Sequence, residues 1–282
     1  MFFYSDKYHI IVYSLRISPE KLARMIDHTN LKPFSSKKEI NKLCQEALEF
    51  NFAAVCVNSS HVTFCREILR KSGVSVASVV GFPLGACTTN TKAFETTEAV
   101  KNGANEIDMV MDIGSFREGN YFAVANDIAK VVQAADGACV KVILETGFLT
   151  DNQIVKACQI SKNSGASFVK TSTGFGPMGA FYDHIVLMRK TVGKDLGVKA
   201  SGGIRDARTA VRLINAGADR LGVSAGVTII KQLKKIVEEG GWFLASEDKP
   251  EDLYSWGAAD SKKQPKDVYD FYMQKMKEFK KS

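Results

Sequence analysis

Short apolar runs alternate with longer amphipathic stretches along most of this chain, from about Pro19 onward. The stretches repeat apolar residues at three- and four-residue spacing, which is typical of helices packed on one face. They include SKKEINKLCQEALEF, TTNTKAFETTEAVKNG and DARTAVRLINAG. Three helical stretches run into KNGA, NSGA or NAGA, where a glycine is expected to end the helix. The pattern predicts a regular alternation of strands and helices.

Eight of the apolar runs are predicted strands. They are RMIDH at Arg24, FAAVCVN at Phe52, SVASVVGF at Ser75, EIDMVMDI at Glu106, CVKVILET at Cys139, SFVKTST at Ser167, GVKASGG at Gly197 and DRLGVSAG at Asp219. Eight strands alternating with helices over roughly 220 residues predict an α/β fold, the (β/α)8 or TIM barrel. A doubly wound open sheet produces a similar alternation. The count of eight, with glycine-rich elements after the last two strands, favours the barrel.

The barrel is expected over residues 17–236, preceded by an N-terminal arm (1–16) and followed by a C-terminal extension (237–282). The extension begins as a loop rich in Gly, Pro, Asp and Ser and returns to helical spacing. Its apolar face carries Val268, Tyr272, Met276 and Phe279. We interpret this helix as docked on the barrel or on a partner subunit. Acidic residues dilute the charge that a membrane-surface helix would need.

The formal net charge of +7 over 282 residues would suit an anionic partner. The basic residues are scattered among acidic ones, so we expect no nucleic acid as partner. No apolar segment reaches the length of a membrane span, and no membrane partner is expected. The sequence leaves the oligomeric state open and is compatible with a homo-oligomer.

Neither the cysteines nor the histidines have metal-ligand spacing. The residues are Cys44, Cys56, Cys65, Cys87, Cys139, Cys158, His9, His28, His61 and His184. We therefore expect reduced thiols in a cytoplasmic protein, and no metal. No G-x-G-x-x-G follows a strand, which argues against a nicotinamide enzyme. No cofactor is predicted.

Charged residues interrupt several predicted strands. The outer face of a barrel strand packs against helices, where an unpaired charge is unfavourable. Such residues are therefore expected to point inward or to lie at a strand end that faces the pocket. They are Asp108, Lys141, Glu145, Lys170 and Lys199, with Asp27 at the end of the short first strand. Lys170 and Lys199 fall on adjacent strands, about 4.8 Å apart, so their ammonium groups are expected to be close.

Two close lysines would each disfavour protonation of the other and lower a pKa toward neutrality. A partly neutral lysine is a nucleophile for carbonyls, as in Schiff-base enzymes. Asp108 would neutralise the pair and move protons. A purely structural Lys–Asp network is the alternative. The spacing alone leaves either Lys170 or Lys199 as the nucleophile.

Glycine-rich turns follow the last two strands: SGGIRDA begins at Ser201, and GVSAG begins at Gly222. Backbone N–H groups beside a helix N-terminus suit a phosphate. Phosphate sites in barrels often lie after strands seven and eight. The turns predict a phosphorylated substrate, and ordinary tight connections are the alternative.

Together the motifs resemble the deoxyribose-phosphate aldolase family, from about Ser18 to Ile230. The matching segments are MIDHTNLKP, NFAAVCVN, VVGFPLGACTTNTKAFET, GANEIDMVMDIG, VKVILETGFLTD, FVKTSTGFG, GVKASGGIRD and RLGVSAGV. The resemblance implies a metal-free class I aldolase. Its reaction would be the reversible cleavage of 2-deoxy-D-ribose 5-phosphate to D-glyceraldehyde 3-phosphate and acetaldehyde. Another Schiff-base aldolase acting on a longer sugar phosphate and a non-catalytic sugar-phosphate-binding barrel remain as alternatives.

The resemblance also assigns roles to residues. It implies that Lys170 forms the Schiff base, that Lys199 is its cationic neighbour and that Asp108 transfers protons with a water. It places the phosphate near Gly174, Gly202, Gly203, Ser224 and the backbone of Ala225. It also places four residues around the substrate pocket: Asp27, Thr29, Cys56 and Lys141.

This chain departs from some family members at two places. Phe175 stands where those members carry a lysine near the phosphate. Some members also end in a tyrosine that reaches the pocket, whereas this chain ends EFKKS. In this chain a tyrosine of the C-terminal extension would have to take the place of that terminal tyrosine. The candidates are Tyr254, Tyr269 and Tyr272.

Overall fold

The computed structural model of this chain describes residues 17–240. Its strands are β1 (Ile26–Asn30), β2 (Ala54–Val57), β3 (Ser75–Val80), β4 (Glu106–Val110), β5 (Cys139–Ile143), β6 (Phe168–Lys170), β7 (Gly197–Ser201) and β8 (Arg220–Val223). Its α-helices are α1 (Pro19–Ala23), α2 (Lys37–Phe50), α3 (Val62–Leu69), α4 (Thr89–Lys101), α5 (Ile113–Arg117), α6 (Tyr121–Ala134), α7 (Asp151–Asn163), α8 (Tyr182–Val192), α9 (Ala207–Asn215) and α10 (Gly226–Glu238). The arm (1–16) and nearly all of the extension, with its amphipathic helix and three tyrosines, lie outside the described residues. The division into arm, barrel and extension therefore stays a prediction.

The eight strands form one closed parallel barrel in chain order, and β8 pairs with β1. Seven of the predicted segments each contain one of these strands, and RMIDH at Arg24 overlaps β1, which continues beyond it to Asn30. The (β/α)8 prediction is confirmed. The carboxyl ends of parallel strands all open at one end of such a barrel, where active sites are found. The loops that follow the strands therefore surround the candidate site.

Side chains alternate between the two faces of the barrel wall. On β5, Val140 and Val142 belong to the main apolar core that the helices cover, whereas Lys141 between them is fully buried without belonging to it. On β4, Asp108 has the same position between two apolar neighbours. This period-two pattern turns the charged residues toward the barrel interior, as expected from the sequence.

The helices begin and end where local sequence signals predict. Ser36 and Glu39 form a capping box at the start of α2. Gly103, Gly165 and Gly217 have φ values of 105°, 87° and 112°, which a glycine adopts without strain as it ends a helix. Between residues 17 and 240, no helix combines the length and apolar character needed to cross a membrane.

One buried ion pair lies outside the barrel wall, between two helices. Lys92 of α4 contacts Asp127 of α6, with Nζ 2.6 Å from Oδ2, and both side chains are almost completely buried. Lys92 also packs against Gly81, where a Cβ would come within 3.0 Å of Lys92 Cε. The pair therefore joins α4 to α6 and to the end of β3.

Lys92→Met is expected to lower the free energy of unfolding by about 3–5 kcal/mol, because it leaves the Asp127 carboxylate buried and unpaired. Adding Asp127→Leu should restore most of the loss, since the buried charge is then gone. Urea unfolding of the single and double variants measures both effects. A single variant within about 1 kcal/mol of the wild type would contradict this account.

Candidate active site

Seven charged side chains meet inside the barrel. They are the carboxylates Asp27, Glu106 and Asp108 and the cations Lys141, Lys170, Lys199 and Arg220. Except for Arg220, whose side chain is 18% exposed, all are at most 7% exposed. Charges buried this deeply require partners. Their partners are one another.

Asp108 is the centre of this cluster. Its Oδ2 accepts hydrogen bonds from Lys170 Nζ and Lys199 Nζ, each at 2.7 Å. Its Oδ1 accepts a hydrogen bond from Lys141 Nζ at 2.8 Å. The structure thus places the three residues assigned to catalysis in direct contact. The register pairs Lys170 with Lys199 across β6 and β7, which explains why both reach the same oxygen.

Asp27 lies deeper than the sequence suggested. It is the second residue of β1 rather than its end, because the strand continues through Asn30 along β2. Its carboxylate binds Lys199 and Arg220. Lys141 lies 3.9 Å from it. Asp27 therefore belongs to the charged cluster inside the barrel and not to the loop that follows β1.

Glu106 and Arg220 were missed by the sequence analysis. Arg220 Nη2 lies 3.0 Å from Glu106 Oε1, and Glu106 also binds Lys141. Each is the first residue of its strand, and a charged residue at that position is readily assigned to the preceding loop. The sequence does contain a signal for Glu106. It stands two residues before Asp108 on the same strand and therefore shares its inward face.

The balance between burial and neighbouring charges determines the ionisation states of Asp108 and Asp27. Burial alone would raise the pKa of Asp108, but Lys141, Lys170 and Lys199 outweigh it and hold the pKa well below its usual value. Burial likewise opposes ionisation of Asp27, yet its cationic neighbours lower its pKa to about 2. Both carboxyl groups are thus ionised at neutral pH.

The expected lowering of a lysine pKa by its neighbour is wrong at Lys199. Burial does act to lower the pKa of Lys199, but Asp108 and Asp27 outweigh burial and raise the pKa. The pKa of Lys141 is raised in the same way, by Asp108 and Glu106 against burial. Both lysines are therefore fixed cations in the barrel.

Thr29 and Cys56 border the cluster on the β1–β2 side. Cys56 Sγ lies 4.0 Å from Asp108 Oδ2, and burial raises the pKa of the thiol, which keeps it neutral. Thr29 is half-buried and donates its hydroxyl hydrogen to Asp27 O at 2.8 Å. The structure thus places both pocket residues beside the charged cluster.

The glycine turns after β6 and β7 pack backbone against backbone. Gly174, Gly202 and Gly203 have φ values of 85°, 91° and 77°. A Cβ at Gly202 would lie 3.5 Å from Gly174 Cα and 2.9 Å from Gly179 Cα. Only glycine permits this approach, which leaves backbone atoms exposed beside the site.

The third element assigned to phosphate binding follows β8. Ser224 is exposed, and Ala225 is the N-cap of α10 without a side-chain capping bond. The first N–H groups of α10 are therefore not capped by the Ala225 side chain, and such groups favour an anion. β7 and β8 are neighbours, so this helix start belongs to the same side of the barrel mouth as the Gly202–Gly203 turn.

Glu145 and Thr173 form a contact that the sequence did not predict. Thr173 N donates to Glu145 Oε2 at 3.2 Å, and Thr173 Oγ1 donates to the same oxygen. Glu145 is 2% exposed, and burial raises its pKa against the effects of Thr173 and Lys170. These two hydrogen bonds hold the loop after Lys170 against the segment that follows β5.

Phe175, the residue at which this chain departs from the family pattern, lies further along the loop after Lys170. Its ring meets the Phe82 ring edge-on, with 5.4 Å between the ring centroids.

Lysines gathered on a buried aspartate at the open end of a (β/α)8 barrel give this protein the layout of a lysine-dependent aldolase. Comparison with known families then identifies the particular family. Residues 21–232 match the family model described as DeoC/LacD family aldolase. The chain belongs to this family, and the resemblance noted in the sequence is confirmed.

Individual relatives agree with the family assignment. Deoxyribose-phosphate aldolase of Aciduliprofundum boonei is 52% identical over 218 residues, which cover 77% of this chain and 98% of that protein. A solved structure of a putative deoxyribose-phosphate aldolase from Coccidioides immitis is 40% identical with a TM-score of 0.76, and covers 81% of this chain and 92% of its own. The deoxyribose phosphate aldolase of Aeropyrum pernix, whose structure is described as tetrameric, is 33% identical with a TM-score of 0.73 over 78% and 93% of the two chains.

Proposed function

We propose that this protein is a class I aldolase that reversibly cleaves 2-deoxy-D-ribose 5-phosphate to D-glyceraldehyde 3-phosphate and acetaldehyde. The observation that carries the proposal is the convergence of Lys170 and Lys199 on one oxygen of Asp108, each at 2.7 Å. A barrel that only bound a sugar phosphate would have no need for this costly arrangement. Relatives of more than 50% identity carry the name of this activity.

The charge count of the cluster supports Lys170 as the nucleophile. Four cations face three carboxylates, so one cation is in excess. Among the ion pairs described, Lys170 has one carboxylate partner, Asp108, whereas Lys141 has three and both Lys199 and Arg220 have two. Lys170 is therefore the cation whose nitrogen can be freed at the loss of the fewest ion pairs. A free amine is what attack on an aldehyde requires.

The chemistry follows from these positions. The neutral Nζ of Lys170 adds to C1 of the open-chain sugar phosphate, and loss of water gives a protonated imine. The cationic Lys199 stands beside this nitrogen and is placed to give a proton to the departing hydroxyl. Asp108, through a water, accepts the C3 hydroxyl proton while the C2–C3 bond breaks and its electrons move into the imine. The resulting enamine is protonated at C2, and hydrolysis releases acetaldehyde and restores Lys170.

Substrate binding is proposed to use both sides of the barrel mouth. The phosphate would be held by the backbone at Gly174, Gly202 and Gly203, by Ser224 and by the start of α10 at Ala225. Anchoring the phosphate holds C1 at Lys170 and so reduces the entropy cost of the reaction. The reacting end of the sugar would lie against Asp27, Thr29, Cys56 and Lys141.

Product analysis tests the proposed reaction. Incubation of the protein with 2-deoxy-D-ribose 5-phosphate is expected to release equimolar acetaldehyde and D-glyceraldehyde 3-phosphate, at the same rate with excess EDTA, because lysine supplies the electron sink. An aldolase for a longer sugar phosphate would release no acetaldehyde. Loss of the activity with EDTA and its recovery with zinc would contradict the lysine mechanism.

We further propose a cytoplasmic location and a homo-oligomeric assembly. All six cysteines are free, and four of them are buried, which suits a reducing compartment. The assembly is supported by the related Aeropyrum pernix structure, which is described as tetrameric. Light scattering on the purified protein measures the assembly directly.

A further inference from the structure

Four buried polar atoms that follow or end the strands β5, β6 and β7 have no hydrogen-bond partner within residues 17–240. They are Glu145 Oε1, Thr146 Oγ1, Ser172 Oγ and Ser201 Oγ. A buried hydroxyl without a partner is unfavourable, so such an atom at the mouth of a binding barrel is a candidate contact for a polar group of a ligand. The surroundings of Ser201 define its direction best.

Ser201 faces the barrel interior at the end of β7. It follows Lys199 by two residues, so both lie on the inner face, and its register partner on β8 is Gly222. A Cβ at Gly222 would meet Ser201 Oγ directly and would lie 3.1 Å from Lys199 Cε. The absence of a side chain at Gly222 therefore leaves room for the Ser201 hydroxyl and the Lys199 side chain, which lie next to each other on the inner face.

The Ser201 hydroxyl lies between the parts of the site proposed for the two ends of the substrate. Lys199 is level with Lys170, which would hold C1, and Ser201 stands about 7 Å further along the strand. Gly202, the first residue of the proposed phosphate turn, follows directly. A sugar phosphate that spans this distance has its C3 hydroxyl near Asp108 and its C4 hydroxyl one carbon closer to the turn. The C4 hydroxyl therefore falls level with Ser201.

We infer that Ser201 Oγ hydrogen-bonds the C4 hydroxyl of 2-deoxyribose 5-phosphate and makes Ser201 a specificity-determining residue. The inference rests on the proposed function. In the direction of synthesis, the same hydroxyl is that on C2 of D-glyceraldehyde 3-phosphate. A site built to bond a hydroxyl discriminates against analogues that lack it, because its own polar group is then left unpaired.

The test compares two acceptors in the addition of acetaldehyde: D-glyceraldehyde 3-phosphate and 3-oxopropyl phosphate, which lacks the hydroxyl. Ser201→Ala is expected to lower kcat/KM about tenfold for the first acceptor and to change it by no more than about twofold for the second. Ser78→Ala is the matched control. Ser78 is equally buried on a barrel strand, but its neighbours Val76 and Val80 belong to the outer core and its Oγ bonds to Val79 O. The control should leave both acceptors unchanged.

An equal loss for both acceptors, or no loss for either, would overturn the inference. If Ser201→Ala folds poorly, Ser201→Cys gives the same comparison, because the thiol is similar in size and only a weak hydrogen-bonding group. Failure of the proposed function has a different signature: the wild-type protein would then form no addition product from acetaldehyde and D-glyceraldehyde 3-phosphate.

Discussion

Replacing Lys170 by methionine is expected to lower kcat by a factor on the order of 10⁴ or more, because no other group in the account forms the imine. Binding of 2-deoxy-D-ribose 5-phosphate should survive, since the phosphate contacts are remote from Lys170. The free energy of unfolding should change little. Asp108 is the one carboxylate that Lys170 contacts among the ion pairs described, and it keeps Lys141 and Lys199 as partners when Lys170 is replaced. Steady-state kinetics, calorimetric binding and urea unfolding measure the three effects.

Lys199→Met is the matched variant, because it removes a second lysine from the same oxygen of Asp108. It should lower kcat by about 10²–10³-fold, as expected for the loss of a proton-transfer group, while a covalent adduct still forms on Lys170. It should also destabilise the protein, since Lys199 neutralises both Asp27 and Asp108. Turnover by Lys170→Met within about tenfold of the wild type would refute the assignment.

Asp108→Asn is expected to reduce both activity and stability. Three lysines then lose their common carboxylate, and four cations face two carboxylates in the barrel. We expect a loss of about 3–5 kcal/mol in the free energy of unfolding. Because the group that moves the C3 proton is also lost, kcat should fall by about 10³-fold or more. Urea unfolding and steady-state kinetics separate the two effects.

Glu106→Gln controls for the change of charge. Glu106 belongs to the same cluster, but it binds Lys141 and Arg220 rather than Lys170. This variant should lose a comparable amount of stability and retain kcat within about tenfold of the wild type. Equal losses of kcat in the two variants would mean that Asp108 acts only through the charge balance, and would contradict its role in proton transfer.

The barrel could be predicted from the sequence because local signals agree with the final fold. Val140 and Val142 flank Lys141, so a strand with an apolar outer face leaves the lysine only one direction to point. The predicted run at Cys139 continued to Thr146, whereas β5 ends at Ile143. Glu145 has a φ of 52°, outside the strand region, where it accepts the bonds from Thr173. A bond to a loop 28 residues away fixes that end, and local pattern does not encode it.

The site could be predicted in part. That Lys170 and Lys199 face each other follows from their positions in adjacent strands. Their convergence on Asp108, 62 and 91 residues away, depends on closure of the whole barrel. The contact between Lys199 and a second carboxylate, that of Asp27, also depends on barrel closure and could not be predicted from local sequence. Together with Asp108, Asp27 raises the pKa of Lys199, which is the opposite of the expected direction. The sequence predicts that the two lysines repel each other. It does not predict how many carboxylates lie close enough to outweigh that repulsion.

The most direct test of the account is to trap the imine. Sodium borohydride added during turnover of 2-deoxy-D-ribose 5-phosphate reduces the imine to a stable amine, and peptide mapping by mass spectrometry locates it. The account predicts one modified peptide, with the adduct on Lys170, and no adduct in Lys170→Met. An adduct on Lys199, or an unmodified Lys170 in protein inactivated by this treatment, would contradict it.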